Sequence, residues 1–164
     1  MSISIIVAAA ENNAIGRKND LPWKISADLK HFVEVTKGKT VLMGLNTYKS
    51  ILNILGKPLP NRKNLILTFT KDPSINQEQF TSFDDVLRLA EKENIFVIGG
   101  ASVYKQTLPY AKTLYLTRVH TNIDDADAFF PEVSENEWKL IDSETHKKDD
   151  KNEFDYTFQK YERK

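Results

Sequence analysis

The sequence of 164 residues contains no cysteine, only three histidines and no excess of either charge. Without cysteine it can form no disulfide framework, no thiolate metal site and no cysteine nucleophile. The histidines His31, His120 and His146 stand far apart in the chain, which argues against a histidine-rich metal centre, and we predict no metal. Because Lys plus Arg and Asp plus Glu both number 23, the net charge favours neither a nucleic acid nor an anionic membrane as a partner.

The chain also lacks a long hydrophobic run. The apolar stretch Ile3–Ala10 is far shorter than the ~20 residues of a membrane span. No basic residue precedes it, as a secretion signal would require, and the first one is Arg17. Contents of 40% hydrophobic and 28% charged residues are typical of a globular protein. We therefore predict a monomeric, cytoplasmic protein with a single domain over residues 1–164.

Apolar runs alternate with amphipathic segments in the first two-thirds of the chain. The runs predicted to be buried strands are Ile3–Ala10, 40–43, 64–69 and 95–98. Four segments are predicted to be helices. The first has Ser26 as N-cap and ends at Gly38, the second covers 46–55, the third begins at Phe83, and the fourth covers 102–108 and is ended by Pro109. Residues 11–23 are predicted to be a long loop. Because a strand–helix–strand order requires crossover connections, it predicts a largely parallel sheet.

The last third has a different pattern, with predicted strands at 113–119, 138–143 and 154–161 and no helix between them. Phe154, Tyr156 and Phe158 alternate with polar residues, which is the period of a half-exposed strand. The polar run 147–152 is predicted to be a solvated hairpin turn. The fold class is therefore α/β: a mixed, mainly parallel central sheet flanked by about four helices, with a C-terminal antiparallel hairpin.

Gly99 and Gly100 connect a predicted buried strand to a predicted helix. Two glycines let the backbone approach a ligand closely, and a helix N-terminus offers amide donors to a phosphate. A glycine pair is also ordinary turn chemistry. Its position adds weight, since open α/β sheets bind ligands at the carboxyl ends of their strands.

Asp28 lies near the start of the first predicted helix. An acidic residue there can simply complement the helix dipole. Alternatively, with Leu21, Trp23 and Phe32 nearby in sequence, the carboxyl group could lie at the edge of an apolar pocket. Burial would then raise its pKa, and the group could bind and protonate a nitrogen heterocycle.

Three further side chains have both a structural and a functional interpretation. Trp23 can pack in the core or form a wall for a planar ligand. Arg62 can be a solvated loop cation, or its planar guanidinium can bind a substrate carboxylate. Thr117 can be a strand former only, or its hydroxyl can hydrogen-bond a neighbouring carboxylate.

These residues belong to blocks that together resemble the dihydrofolate reductase family over nearly the whole chain. The pair Pro22 and Trp23, the acid Asp28 and the pair Gly99 and Gly100 fall where that family has them. The matching blocks are 6–9, 14–16, 21–23, 27–29 with Phe32, 41–44, 47–48, 50–51, 56–64, 97–101, 103–104, 114–117, and Asp127 with 130–131. Each block is weak alone, but their joint order and spacing are highly specific.

The resemblance implies a reductase that transfers a hydride from NADPH to 7,8-dihydrofolate and gives 5,6,7,8-tetrahydrofolate. The residues that it implies for catalysis are Asp28, Leu21, Trp23 and Thr117. Those that it implies for binding dihydrofolate are Ile6, Val7, Asp28, Leu29, Phe32, Ile51, Lys57, Leu59, Arg62, Ile98, Tyr104 and Thr117. Those that it implies for binding NADPH are Ala8, Ala14, Ile15, Gly16, Asn19, Asp20, Leu21, Gly44, Leu45, Asn46, Thr47, Leu67, Thr68, Phe69, Lys71, Ile98, Gly99, Gly100, Ala101, Ser102, Val103 and Tyr104.

The sequence departs from the family pattern where the cofactor phosphates are expected. Leu45 and Asn46 stand where the family often has a basic pair. Phe69 replaces a small polar residue, and Ser102 stands where some members have a basic side chain. The site of the 2′-phosphate is therefore expected to have few cations, with Lys71 as a candidate substitute.

Two other functions are consistent with part of this pattern. The reductase of riboflavin biosynthesis is expected to have a related fold, but the Pro22–Trp23 and Asp28 blocks argue against it. A non-catalytic protein that binds a pterin or a nucleotide would explain the few cations at the phosphate site. The presence of Asp28, Trp23 and Thr117 together with the glycine pair favours the enzyme.

Overall fold

The computed structural model describes residues 2–164 and has one central sheet of eight strands. Its strands, in the order in which they lie side by side, are β5 (Glu78–Phe80), β4 (Lys63–Leu67), β3 (Thr40–Gly44), β6 (Ile95–Gly99), β1 (Ile3–Ala10), β7 (Ala111–Val119), β10 (Tyr156–Arg163) and β9 (Trp138–His146). Two short strands, β2 (Ala14–Gly16) and β8 (Ala128–Phe129), form a separate antiparallel pair. The helices are α1 (Ser26–Thr36), α2 (Leu45–Leu55), α3 (Phe83–Ala90) and α4 (Ala101–Thr107).

The sheet topology confirms the predicted fold class. The six strands from β5 to β7 pair in parallel, because helices connect most of them by crossovers. Strands β9 and β10 form the antiparallel hairpin at the edge of the sheet. Ile5, Leu42 and Val97, on the three central strands, are fully buried. No helix within residues 2–164 is long and apolar enough to cross a membrane.

Several predicted boundaries are wrong. The strand predicted at 64–69 is β4, which ends at Leu67; Phe69 lies outside it and is 98% exposed. The helix predicted at 102–108 is α4, which ends at Thr107. A 3₁₀ turn over Leu108–Tyr110 follows it and includes Pro109, because a residue without an N–H group is tolerated in the first turn of a helix. Strands β2, β5 and β8 were not predicted, since two or three residues are too few for a periodic pattern.

The start of α1 differs most from the prediction. Ser26 is the first helical residue, not the N-cap; the cap position is Ile25, which has no side-chain cap hydrogen bond. The amide of Ala27 instead donates to Oδ1 of Asn152, at 3.0 Å. The predicted solvated turn at 147–152 is correspondingly wrong at Asn152, which is only 6% exposed. A contact between residues so distant in sequence leaves no local signal.

Candidate active site

A cleft of about 750 Å³ opens at the carboxyl ends of the central parallel strands. Val7 and Ala8 of β1, Gly44 of β3 and Ile98 and Gly99 of β6 line it. The first residues of α2 and α4 line the opposite side, and residues from 15 to 21 cover one edge. This is the position at which open α/β sheets bind ligands.

The carboxyl group of Asp28, on α1, contacts strand β7 next to this cleft. Its Oδ1 accepts a hydrogen bond from the Thr117 hydroxyl at 2.7 Å, which is the second of the two interpretations that the sequence left open for Thr117. Thr117 pairs in the sheet with Ala8, which lines the cleft. Burial raises the pKa of the Asp28 carboxyl, while the Thr117 hydrogen bond and the nearby His31 oppose the rise. The first turn of α1 thus holds a carboxyl group that accepts a proton more readily than an ordinary aspartate.

Two buried aromatic side chains, Tyr104 and Trp23, carry polar groups. The hydroxyl of Tyr104 donates to the carbonyl of Ile6 at 2.8 Å, and its pKa is raised by burial and by the charge of Asp28. The indole N–H of Trp23 is buried and has no acceptor within the described protein. Because a buried donor is costly to leave unpaired, this N–H is suited to a ligand or a bound water.

Hydrogen bonds hold the loop before α1 at two points, at residues 16–18 and at Lys24. The amide of Lys18 donates to Asp127 Oδ2 at 2.8 Å, and the amide of Asp127 donates to the carbonyl of Gly16 at 3.1 Å. At the other end, Lys24 and Glu153 exchange hydrogen bonds. Leu21 lies between the two attachments, lines the cleft and is 45% exposed. The loop is therefore held where it forms one edge of the cleft.

Arg62 lies near the C-terminal end of α1. Its Nε donates to the carbonyl of Pro60 and its Nη1 to the Thr36 hydroxyl, at 2.9 and 3.0 Å. The guanidinium lies 5.9 Å from the centre of the Phe32 ring. These hydrogen bonds occupy Nε and Nη1, and Nη2 has no hydrogen bond in the described protein, so that it can bind an anionic ligand.

The glycine pair forms the floor of the cleft at the end of β6. Gly99 has φ +133° and its peptide bond to Gly100 is cis. A Cβ atom on Gly99 would lie 3.4 Å from the Thr47 hydroxyl and 3.6 Å from that of Tyr104. These are ordinary van der Waals distances, so it is the positive φ that favours glycine at this position.

The charge of the cleft lining is negative. Within the described part of the chain, the lining includes Asp20 and Asp127 but no lysine, arginine or histidine. Phosphate groups would therefore meet backbone amides and hydroxyls, such as those of Thr47, Thr68 and Ser102. No cluster of metal-ligating side chains occurs within residues 2–164.

The cleft brings together most of the residues expected to bind a nicotinamide cofactor. Of these, Ala14 and Lys71 lie outside its lining, Ala14 because it is fully buried behind it. Of the expected substrate residues, Val7, Ile51, Ile98 and Tyr104 line the cleft. The others lie outside the lining: Ile6, Asp28, Leu29, Phe32, Lys57, Leu59, Arg62 and Thr117. Leu29 is 58% exposed, whereas Ile6 is buried, with 5% exposure.

Sequence reasoning missed several residues of the cleft. The additional lining residues are Ser50, Ile54, Thr81, Phe83, Gln106, Asp127 and Ala128. Gln106 lies one helical turn after Ser102, so helical spacing could have indicated it. Thr81 and Phe83 follow the unpredicted strand β5, and nothing local identifies them.

Comparison with known proteins gives one consistent family. A family model described as dihydrofolate reductase matches residues 2–163. A dihydrofolate reductase of Bacillus subtilis is 43% identical over 164 residues, covering 99% of this chain and 95% of the relative. One from Haemophilus influenzae is 40% identical and covers 96% of each chain.

A solved structure has the same fold. It is a dihydrofolate reductase from Enterococcus faecalis complexed with NADP(H) and RAB-propyl. Its TM-score is 0.88 at 30% sequence identity, with 99% of this chain and 96% of that chain covered. The two folds therefore agree over nearly the whole length of both chains.

Proposed function

We infer the reaction from one premise: the chain belongs to the dihydrofolate reductase family. It is an NADPH-dependent enzyme that reduces 7,8-dihydrofolate to 5,6,7,8-tetrahydrofolate. The observation in this molecule that carries the mechanism is the Asp28 carboxyl, hydrogen-bonded to Thr117 beside the cleft. NADPH supplies the hydride, and the protein supplies alignment, a protonatable group and exclusion of water.

We propose that Asp28 binds the fused ring of the substrate and promotes its protonation. A carboxylate accepts hydrogen bonds from an amino group and from a ring N–H, so it orients the ring in one direction. Its raised pKa increases the fraction that carries a proton near neutral pH. Thr117 keeps the carboxyl group in place through the 2.7 Å hydrogen bond. A water held by the buried indole N–H of Trp23 is a suitable relay to the ring nitrogen.

We propose that the remaining substrate residues bind the two ends of dihydrofolate. The apolar side chains expected to contact the rings are Ile6, Val7, Leu29, Phe32, Ile51, Leu59, Ile98 and Tyr104. Arg62 is proposed to bind the glutamate carboxylate, because two of its nitrogens are already fixed by Pro60 and Thr36. Lys57 is proposed to add positive charge at the mouth of the pocket. Leu21 is proposed to exclude water from the reacting atoms.

The cleft fits NADPH through its backbone more than through its charges. The glycine pair leaves the space that a Cβ would fill next to Thr47, and α2 begins at the same place. We propose that Leu45, Phe69 and Ser102 surround the adenosine end, where no cationic side chain lines the described cleft.

Replacing Ser102 with arginine is therefore expected to tighten NADPH binding. The side chain is exposed at the first turn of α4 and lines the cleft, so a guanidinium there can reach a 2′-phosphate. We expect the Kd of NADPH to fall about tenfold and that of NADH to remain the same. Quenching of intrinsic tryptophan fluorescence measures both constants. Ser102→Gln, which lengthens the side chain without charge, is the matched control; equal tightening for NADH would contradict the proposal.

The reaction itself is tested with the purified chain. Mixing it with NADPH and dihydrofolate is expected to consume the absorbance of NADPH and to give tetrahydrofolate, identified by mass spectrometry. NADPH oxidation that occurs only with a ribosylaminopyrimidine would indicate the riboflavin-type reductase. Tight ligand binding without NADPH oxidation would indicate a non-catalytic binding protein.

We propose that the enzyme acts as a monomer in the cytoplasm, and that residues 1–164 form a single domain. One continuous sheet that includes both the first and the last strand supports the single domain. The lack of cysteine is compatible with a reducing compartment. Sedimentation velocity tests the oligomeric state.

A further inference from the structure

Asn152 is buried within an otherwise exposed connection. It lies between β9 and β10, where its neighbours Asp150, Lys151 and Glu153 are exposed. Both ends of its carboxamide are hydrogen-bonded: Oδ1 accepts from the amide of Ala27 at 3.0 Å, and Nδ2 donates to Asp149 Oδ1 at 2.8 Å. Polar side chains are seldom buried without a specific arrangement of partners, so this burial requires an explanation.

The connection serves as a remote cap for α1. The first amides of a helix have no partner within the helix. In α1, the amide of Ser26 donates to the carbonyl of Lys151 at 3.2 Å, and that of Ala27 donates to Asn152. Ile25, at the local cap position, has an apolar side chain and pairs with Asn152 in an isolated bridge. Residues more than a hundred positions later therefore replace the usual local cap.

The capped turn is the one that carries Asp28. Asp28 follows Ala27 directly, and its carboxyl is held from the sheet side by Thr117 on β7. The backbone of the residue before it is held by Asn152, in the connection between β9 and β10. Because the backbone and the side chain are fixed by different parts of the fold, a shift at either point moves the carboxyl relative to the cleft.

We propose that Asn152 is a positioning residue for the reaction, which sets the location of Asp28 by capping the first turn of α1. This inference rests on the proposed role of Asp28. The carboxamide is suited to the task because it accepts one hydrogen bond and donates another, whereas an aspartate would place two carboxylates, its own and that of Asp149, in contact. Asn152 does not touch the substrate; it acts only through Ala27 and Asp28.

The test compares Asn152→Ala with Asp150→Ala, an exposed neighbour in the same connection. We expect Asn152→Ala to lower the single-turnover hydride-transfer rate about tenfold, since small misplacements of a reacting group have large effects. The Kd of NADPH is expected to change less than twofold. Asp150→Ala is expected to behave as the wild type. A folded Asn152→Ala protein with the wild-type rate would overturn the proposal.

A charge-conserving exchange keeps the test decisive if Asn152→Ala does not fold. In the double variant Asp149→Asn with Asn152→Asp, residue 152 still accepts from Ala27 and residue 149 donates to it instead. We expect this variant to recover the wild-type rate within threefold, and Asn152→Asp alone to remain slow. An exchange variant that folds and is as slow as Asn152→Asp would overturn the proposal.

The pH profile and the Asp28→Asn background separate positioning from general structural damage. The titratable groups that face Asp28 are His31 on α1, Tyr104 on α4 and Tyr156 on β10, and none is altered. Loosening the first turn admits water to the carboxyl, so the apparent pKa of the rate profile is expected to fall by about half a pH unit or more.

In the Asp28→Asn background, Asn152→Ala is expected to have no further effect on the rate; an undiminished effect would overturn the proposal. Normal turnover by Asp28→Asn itself would instead refute the proposed role of Asp28.

Discussion

Replacing Asp28 with asparagine is expected to lower the hydride-transfer rate at neutral pH by about 10²- to 10⁴-fold, the range typical for the loss of a general acid. The amide still accepts a hydrogen bond from Thr117 and fills the same volume, but it cannot carry the proton to the ring nitrogen. Single-turnover kinetics with preformed NADPH complex measures the rate. We expect the Kd of NADPH to be unchanged, which separates this loss from a damaged cleft.

The same variant is expected to be at least as stable as the wild type at neutral pH. Because burial raises the pKa of Asp28 in the folded state, the folded protein binds a proton more tightly than the unfolded chain. Its contribution to the free energy of unfolding is therefore greatest below the ordinary aspartate pKa and is lost as the pH rises through the raised pKa. Asparagine has no charge to desolvate. A large fall in Tm at neutral pH would contradict this view of the site.

Replacing Gly99 with alanine is expected to weaken NADPH binding about tenfold or more. At φ +133° an L side chain is strained, which costs ~1–3 kcal/mol. The free protein relieves this strain by moving the backbone at the floor of the cleft, and NADPH binding must then restore the strained conformation; a cost of about 1.4 kcal/mol on binding is a factor of ten in affinity. The new Cβ would lie 3.4 Å from the Thr47 hydroxyl and 3.6 Å from that of Tyr104, so the strain comes from the backbone conformation and not from a steric clash. Fluorescence titration with NADPH measures the effect.

Gly38→Ala is the matched control for this change. Gly38 also has positive φ, at +73°, but a Cβ there would meet no atom within 4 Å, and the residue lies outside the cleft. We expect both variants to lose stability, since each forces an L residue into the left-handed region. Only Gly99→Ala is expected to lose affinity for NADPH. Equal losses of affinity in both variants would show that the glycine pair has no special relation to the cofactor.

Features set by residues close together in the sequence could be predicted, whereas contacts between residues distant in the sequence could be expected only where a family pattern indicated them. The strand Ile3–Ala10 follows from a continuous apolar run, and the last strand of the edge hairpin from the alternation of apolar and polar residues, so both could be predicted, the first to the residue. The hydrogen bond between Asp28 and Thr117 joins distant residues, and it was expected because each has a matching position in a family pattern. Asn152 had neither signal, because its buried carboxamide stands in a polar run typical of a solvated turn.

The lining of the cleft shows the same limit. Gly99 and Gly100 are visible as a pair at the end of an apolar run. Thr81 and Phe83 enter the cleft only because β5 adds a short strand beside β4, which no local pattern indicates. Phe69 looked like the end of a strand, but a lone aromatic residue after a strand gives no information about burial, and it is almost fully exposed.

The most direct measurement is a titration of the Asp28 carboxyl itself, by NMR of protein labelled with ¹³C at the aspartate side chains. The signal of Asp28 is assigned as the one that Asp28→Asn removes. We predict a pKa clearly above the ordinary aspartate value, and a lower pKa in Asn152→Ala, where water reaches the group. An Asp28 carboxyl that titrates at or below the ordinary value would contradict the account, since such a group would be neither desolvated nor protonatable under working conditions.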